Sequence, residues 1–443
     1  AQRRAGDTGH RETLLAAAHL AGRQGDTDAL ARAALANSRG MMYSITGVVD
    51  SERVAALEAA LAAWTGDDSS VRAKLLSTLA LELTFSSDPD RRQSLSDEAL
   101  AIARRLGDRA TLAHVLIARY AATIRPDTLQ ARVSDSEELV DTVSSLPDPA
   151  LRTRALIVAF RTVLQAGRMG EAARLLQAAD ELAEELGQPV LRWMTTYLRS
   201  ASALIAGDLD SAERLTREAA ELGRVGGQPE GLWALTFQLF LIRTEQGRTD
   251  DELATLFDTA MAEIEAAGAR LHTIEAGGGL VATDLGRMEE ARVVYDRLVA
   301  APPPSDLYWA IATTMWAHLA MRLAETAQVE VLYETLRPHS DHVVLFPTFP
   351  TPSMSFHLGT LAAFLGRFDD ADGHFATAAT DHERIGAPTY LARTHLEWAR
   401  TLLARGGPGD EPQAHALLTA AATAAREYGL TGVEREAVAL LSR

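Results

Sequence analysis

The sequence predicts an all-α fold, a right-handed superhelical solenoid of stacked helical hairpins, and three observations predict it. First, the 443-residue chain is 47% hydrophobic but only 6% aromatic, and its abundant Ala, Leu, Arg and Glu lose little rotamer freedom in a helix. Second, the long runs of β-branched residues that indicate strands are few. Third, one short signature recurs about every 40 residues, which indicates a repeat architecture.

The signature is a glycine, then Arg or Asp, then three variable residues and an alanine. It begins at Gly167, Gly207, Gly286 and Gly366, with degenerate copies at Gly247 and Glu325 and a seventh copy at Gly409. We interpret the glycine as the left-handed turn that ends helix A of a hairpin, and the alanine as a close-packing position on helix B. In three copies a proline follows 22 residues after the glycine and is expected to begin the next helix A; these are Pro189, Pro229 and Pro388.

These repeats predict one solenoid over residues 1–443. The regular repeats of about 40 residues would occupy 151–443, degenerate repeats 51–150, and an irregular N-terminal hairpin and loop 1–50. Upstream helices are expected over 11–23, 27–36, 52–64, 69–83, 91–106, 109–122, 134–144 and 149–166. Three stretches depart from the helical pattern, namely 37–50, 300–306 and 339–353. The last is rich in Pro and Phe, and its prolines should force an extended path across one edge of the solenoid.

The segment from Phe356 to Ala371 resembles a tetratricopeptide repeat. It has a Leu-Gly pair at 358–359, a small residue three positions later, a Gly-x-aromatic turn at 366–368 and the alanine of helix B. The repeat here is about 40 residues long rather than the family's 34, so both helices should be longer. At this length the chain is similar to the C-terminal sensor region of large bacterial ATP-binding signalling regulators, either LuxR-type or fused to a cyclase or winged-helix domain.

This resemblance implies a non-catalytic sensor or scaffold region of a multidomain ATPase that regulates transcription or signalling. Such a region would bind a small effector or a partner protein in its concave groove. It would also contact the ATPase and other domains of the parent chain, or further copies of itself. The alternative is a constitutive tetratricopeptide adaptor that binds a peptide segment in the same groove.

Composition excludes several kinds of chemistry. The absence of Cys excludes disulfides, thiolate metal sites and cysteine nucleophiles, and the single lysine, Lys74, lies in no glycine-rich phosphate-binding loop. A net charge of -17 argues against direct contact with nucleic acid. Because no apolar stretch approaches the length of a membrane span, we expect no membrane contact. The sequence thus predicts a cytoplasmic protein that is not an enzyme and has no cofactor or metal.

Two local clusters have alternative interpretations. His339 and His342 with Asp341, or His272 with Glu275, offer metal-binding side chains, but zinc needs three or four converging ligands. A polar loop and a helix surface are therefore the favoured interpretations. The triplet Gly277–Gly279 looks like a phosphate cradle but falls in the middle of a helix A, where small residues permit close helix packing.

The repeat register, combined with the family resemblance, places two stripes on the inner surface of the A helices. Ten residues before each signature glycine or its equivalent lie Ile157, Tyr197, Phe237, Ala276, Met315 and Phe356; six before lie Arg161, Ala201, Leu241, Leu280, Leu319 and Thr360. The candidate ligand- or partner-binding residues of the groove are Arg154, Arg161, Tyr197, Phe237, Leu241 and Phe356. They would suit an amphipathic or anionic ligand, and the alternative is that the aromatic members belong to the core. Trp193, Trp233, Trp309 and Trp316 are expected to be core residues, with the rim of the groove as the alternative for Trp193 and Trp233.

Overall fold

A computed structural model describes residues 9–40, 46–65, 68–228, 230–343, 346 and 348–442. This part of the chain contains 22 α-helices and no β-strand, which confirms the all-α prediction. The helices are α1 His10–Gln24, α2 Thr27–Asn37, α3 Ser51–Ala63, α4 Ser70–Glu82, α5 Pro89–Leu106, α6 Arg109–Ala122, α7 Leu129–Ser144, α8 Pro149–Gln165, α9 Met169–Leu186, α10 Pro189–Ala206, α11 Leu209–Val225, α12 Gly231–Gln246, α13 Asp251–Ala266, α14 His272–Asp284, α15 Met288–Ala300, α16 Trp309–Arg322, α17 Thr326–Leu336, α18 Met354–Phe364, α19 Phe368–Arg384, α20 Pro388–Arg405, α21 Asp410–Tyr428 and α22 Thr431–Leu441.

The helix boundaries follow local signals in the sequence. Aspartate side chains accept hydrogen bonds from first-turn backbone N–H groups and so cap the start of seven helices; these are Asp26, Asp50, Asp88, Asp108, Asp148, Asp208 and Asp250. Pro189 and Pro388 occupy the first turns of α10 and α20, as predicted. Pro229, as well as Met41, Met42 and Pro347 in two of the irregular stretches, lies outside the described residues.

Five of the six signature glycines form the predicted left-handed turn at the end of helix A, whereas Gly409 lies directly before α21 and Gly406 ends α20. The glycines at 167, 207, 247, 286 and 366 have φ between 65° and 84°, a region that costs glycine no Cβ clash. In the degenerate sixth copy the turn falls on Ala324, with φ 58°, one residue before the predicted marker Glu325. The hairpin therefore forms even where its glycine is missing.

Close packing explains the glycines in the middle of helices. A Cβ at Gly277 would lie 2.8 Å from the Phe257 ring, and one at Gly279 would lie 2.8 Å from Leu319. The close-packing interpretation is therefore confirmed for Gly277 and Gly279. Gly359 has the same role, because a Cβ there would lie 2.8 Å from the Phe375 ring.

The superhelix winds far enough for distant repeats to touch. Helix α20 contacts α10, and α22 contacts α12. At the second contact a Cβ on Gly247 would lie 2.7 Å from the Cα of Gly432, and Thr431 Oγ1 donates to the carbonyl of Gln246 at 2.6 Å. We call this contact the seam. It encloses the inner face of the A helices as a channel.

None of the described helices is both long and apolar enough to cross a membrane.

Candidate functional site

We call residues 340–353, between α17 and α18, the strap, and its described residues 346 and 348–353 lie in the channel. Its Phe349 is 1% exposed. The Phe349 ring centroid lies 4.9 Å from that of Phe237, 5.2 Å from Trp233 and 6.0 Å from Tyr197. We call these three residues of α10 and α12 the aromatic site. The predicted path across one edge of the solenoid is wrong, because an inner path buries the strap's rings against apolar helix faces.

Side chains from several repeats hold the strap by its backbone. Tyr390 Oη donates to the carbonyl of Pro350 at 2.8 Å. His382 Nε2 accepts from the N–H of Ser353 at 3.0 Å, so its Nδ1 carries the proton and donates to Thr394 Oγ1 at 3.0 Å. Near the other end, the strap's own His342 makes the contact, and its Nε2 donates to the carbonyl of Pro126 at 2.9 Å. The strap thus bridges the turn before α7 and helices α19 and α20.

Next to the strap, the channel holds an open cavity of about 870 Å³. Its apolar floor comes from helices α12, α14, α16 and α18 and includes Leu241, Leu280, Met315, Phe356 and Thr360. All five belong to the two stripes predicted for the inner surface. Strap residues 350–352 form one wall of the cavity, and Gly432 and Val433 at the seam form another.

A pair of histidines lies in the cavity wall. His318 Nε2 and His357 Nδ1 are 2.8 Å apart and share one hydrogen bond. Burial, with the nearby charges of Arg322 and Arg393, lowers the pKa of His318 to about 4. Burial also lowers the pKa of His357 well below its ordinary range. Both rings are therefore neutral at neutral pH, and each can donate or accept a hydrogen bond.

Ion pairs surround this neutral interior. Arg322 pairs with Asp284, and Arg400 contacts both Glu397, at 2.7 Å, and Glu436. In a further pair Glu245 is buried and Arg393 partly buried, and Arg393 Nη2 lies 3.3 Å from Glu245 Oε1. Burial raises the pKa of Glu245, while Arg393 opposes that shift. The cavity therefore combines an apolar floor with polar groups of both signs, which suits an amphipathic ligand.

The structure places the six candidate groove residues in three locations. Tyr197 and Phe237 contact Phe349 in the aromatic site, and the buried Arg161 lies next to Tyr197. Leu241 and Phe356 line the open cavity. Arg154 lines neither the aromatic site nor the cavity. It lies beside Gly40, where an added Cβ would be 3.0 Å from Arg154 Nη1. Tyr197 and Phe237 are thus covered by the chain's own Phe349, whereas Phe356, although also buried, lines the cavity.

Sequence reasoning missed the strap's Phe349 and the histidine pair. The two histidines are 39 residues apart, about one repeat length, and that spacing was the signal that could have found them. Two of the three histidines considered as metal ligands are otherwise engaged, since His342 bonds to the carbonyl of Pro126 and His272 Nε2 lies 3.2 Å from the carbonyl of Ala301. Among the described residues, no group of three or more His, Asp or Glu is placed to hold a metal ion.

Trp193, Trp233 and Trp316 are buried, as expected, whereas Trp309 is only partly buried.

No family model matches the chain, and no curated protein matches its sequence. Among solved structures, the Rap protein complexed with Competence and Sporulation Factor aligns with a TM-score of 0.41 and 11% identity, covering 84% of this chain and 97% of that one. Yeast Tom70 aligns with a TM-score of 0.36 and 14% identity, covering 88% and 87%. A signal transduction ATPase with numerous domains and a tetratricopeptide repeat sensor, from Pyrococcus horikoshii, aligns with a TM-score of 0.35 and 10% identity, covering 94% and 67%. At such scores these likenesses say nothing of what the chain binds.

Proposed function

We propose that the chain is a non-catalytic binding scaffold that takes up an amphipathic effector or an extended peptide segment in its channel. The observation that carries this proposal is the open cavity of about 870 Å³ inside the superhelix. Its volume lies in the range of small-molecule sites, and its apolar floor with a few converging polar groups is the usual composition of such sites.

The biological setting we propose is a cytoplasmic bacterial ATPase regulator of transcription or signalling, with this chain as its sensor region. Support comes from the repeat of about 40 residues and its resemblance to such sensors. An effector would act by binding one conformation of the superhelix better than another. The seam offers a physical basis for two conformations, because Gly432 and Val433 both line the cavity and belong to the helix that closes it.

The binding proposal is tested by filling the cavity. Thr360→Phe adds a ring to a residue that lines the cavity, whereas Thr377→Phe places the same ring on the exposed face of α19. A panel of bacterial metabolites and short peptides is first screened against the unsubstituted chain by thermal shift and isothermal titration. We expect hits whose affinity falls at least about tenfold in Thr360→Phe and stays unchanged in Thr377→Phe. A panel without hits, or hits that bind both variants equally, would contradict the proposal.

A constitutive adaptor is the second candidate, and the strap favours it, because the channel already accommodates one extended segment. The two candidates differ in what the intact protein does. A partner that co-purifies from source lysate and is lost in Thr360→Phe supports the adaptor. ATP-dependent self-assembly of the parent chain that responds to a cavity ligand supports the regulator.

A further inference from the structure

The strap occupies the aromatic site in the way that a bound peptide would. We propose that the aromatic site is a docking surface for an extended segment of another chain that carries a phenylalanine followed by proline, and that the strap is the resident occupant which this segment displaces. The inference rests on the proposed function, because it takes the channel to be a binding site. It adds the chemistry of the partner and the identity of the competitor.

The first argument is the set of contacts around Phe349. Its ring meets Phe237 edge-on, Tyr197 edge-on and Trp233 at a tilted angle of 55°. Edge-to-face and tilted contacts at these distances are favourable geometries for aromatic pairs. The three partners come from α10 and α12, so the solenoid forms this part of the pocket, whereas Phe346, whose ring stacks on Phe349 at 5.8 Å, belongs to the strap itself.

The second argument is the way in which the strap backbone is bound. Tyr390 and Gln238 donate side-chain hydrogen bonds to the carbonyls of Pro350 and Thr348, at 2.8 and 3.5 Å. Any extended segment offers carbonyls at this spacing, so these donors do not depend on the identity of the bound side chains. Pro350 and Pro352 bring no N–H group into the apolar channel, where an unpaired donor would be costly. A partner with prolines after its phenylalanine would share this advantage.

The third argument is that the strap is separable from the helices. Among the described residues, its backbone–backbone hydrogen bonds join it only to itself and to its flanks, which include the first turn of α18. Its bonds to the channel helices all involve side chains. Release of residues 348–352 therefore breaks no backbone–backbone hydrogen bond of a described helix.

The open cavity gives an incoming segment a place to begin. Strap residues 350–352 form a wall of the cavity, directly after Phe349. A segment bound in the cavity would contact this wall and could advance into the aromatic site as the strap leaves. Because the strap is tethered, its effective concentration is of millimolar order or higher, so a free peptide competes poorly until the strap is weakened.

The test uses the full chain and a fluorescent peptide with the sequence of residues 341–353. Phe349→Ala removes the ring that fills the aromatic site, and fluorescence anisotropy measures peptide binding to this variant and to the unsubstituted chain. We expect the peptide to bind Phe349→Ala at least about tenfold more tightly. A peptide with alanine in place of the second phenylalanine should bind neither. Trp233 lies at the site, so its emission should shift on binding.

Phe349→Leu is the second variant, in case Phe349→Ala does not fold, because it retains apolar volume and should give intermediate affinity. Folding is checked by circular dichroism. Equal peptide binding to the unsubstituted chain and to a folded variant, or equal binding of the alanine peptide, would overturn the proposal. If the peptide test fails but cavity ligands still lose affinity in Thr360→Phe, the docking proposal is wrong and the proposed function is left intact. Peptide binding without any cavity ligand would restrict the function to peptide binding.

Discussion

At the scale of single residues, Ala324 is the one described non-glycine residue with a positive φ. It occupies the turn between α16 and α17, where five other repeats have glycine. A left-handed conformation brings Cβ of an L-residue close to the backbone and costs about 1–2 kcal/mol, more than the entropy that glycine loses on folding. The turn therefore forms under strain, which packing of the two helices must offset.

Replacement of Ala324 by glycine should relieve this strain. We expect Ala324→Gly to raise the free energy of unfolding by about 0.5–1 kcal/mol, measured by urea denaturation. Ala166→Gly is the matched control, because Ala166 ends α8 with φ −80° and has no strain to lose. That control should be destabilised by about 0.5–1 kcal/mol. Equal effects of the two substitutions would show that φ at 324 is not strained.

At the scale of elements, α14 shows how neighbouring glycines differ in function. Gly277 faces the Phe257 ring, whereas a Cβ at Gly278 would have as its nearest neighbour a Phe257 atom at an ordinary distance of 3.7 Å. One glycine is required for helix packing, and the other merely weakens the helix. Only the position of α13 against α14 distinguishes them.

Alanine substitutions should separate the two roles. Gly277→Ala forces a methyl group against a rigid ring and should lower the free energy of unfolding by about 1–3 kcal/mol. Gly278→Ala should raise it by up to about 1 kcal/mol, because alanine has the higher helix propensity. Urea denaturation monitored by circular dichroism measures both variants. If Gly277→Ala is stabilised to the same extent as Gly278→Ala, the close approach of Phe257 is not a constraint.

At the scale of the whole molecule, buried neutral histidines make stability depend on pH. Burial is the largest cause that lowers the pKa of His114 to about 3, of His318 to about 4 and of His382 to about 3. An unfolded histidine titrates near pH 6.5. Between pH 6.5 and about 4 the unfolded chain therefore binds more protons than the folded one, and folding weakens as the pH falls.

We expect the free energy of unfolding to fall between pH 7.5 and pH 5, by about 2 kcal/mol for each of these imidazoles. The partly buried carboxyl of Asp306, whose pKa desolvation raises to about 6, has the opposite effect and offsets part of the loss. Denaturant titrations at both pH values measure the sum. In His114→Gln the decrease should be smaller by about 2 kcal/mol. A free energy of unfolding that is the same at both pH values would contradict this account.

Local features of the fold could be predicted from the sequence. The left-handed turns at Gly167 and Gly207, the first-turn prolines of α10 and α20, and the close packing at Gly277 each depend on residues near one another in the chain. Errors at this level were small: α7 begins at Leu129 rather than at residue 134, and the sixth turn falls at Ala324. In both cases tertiary packing supports a helix or turn that the local sequence signals only weakly.

The candidate site was only partly predictable. The inner stripe includes Tyr197, Phe237, Leu241 and Phe356, and the repeat register was enough to align them. Which of them meet open space and which meet the strap depends on contacts such as that of Gln238 with Thr348, 110 residues apart in the chain. Contacts of this kind have no signature in local periodicity.

The sequence by itself determined a chain of helical hairpins with an inner stripe of apolar and aromatic residues, because caps, turns and periodicity act over a few residues. Tertiary structure decided that the strap lies inside the channel, that α22 closes the seam on α12, and that a cavity remains between them. The reason is cumulative geometry. Each repeat adds a small rotation, and only the sum over many repeats brings Gly247 to Gly432 and Phe349 to Phe237.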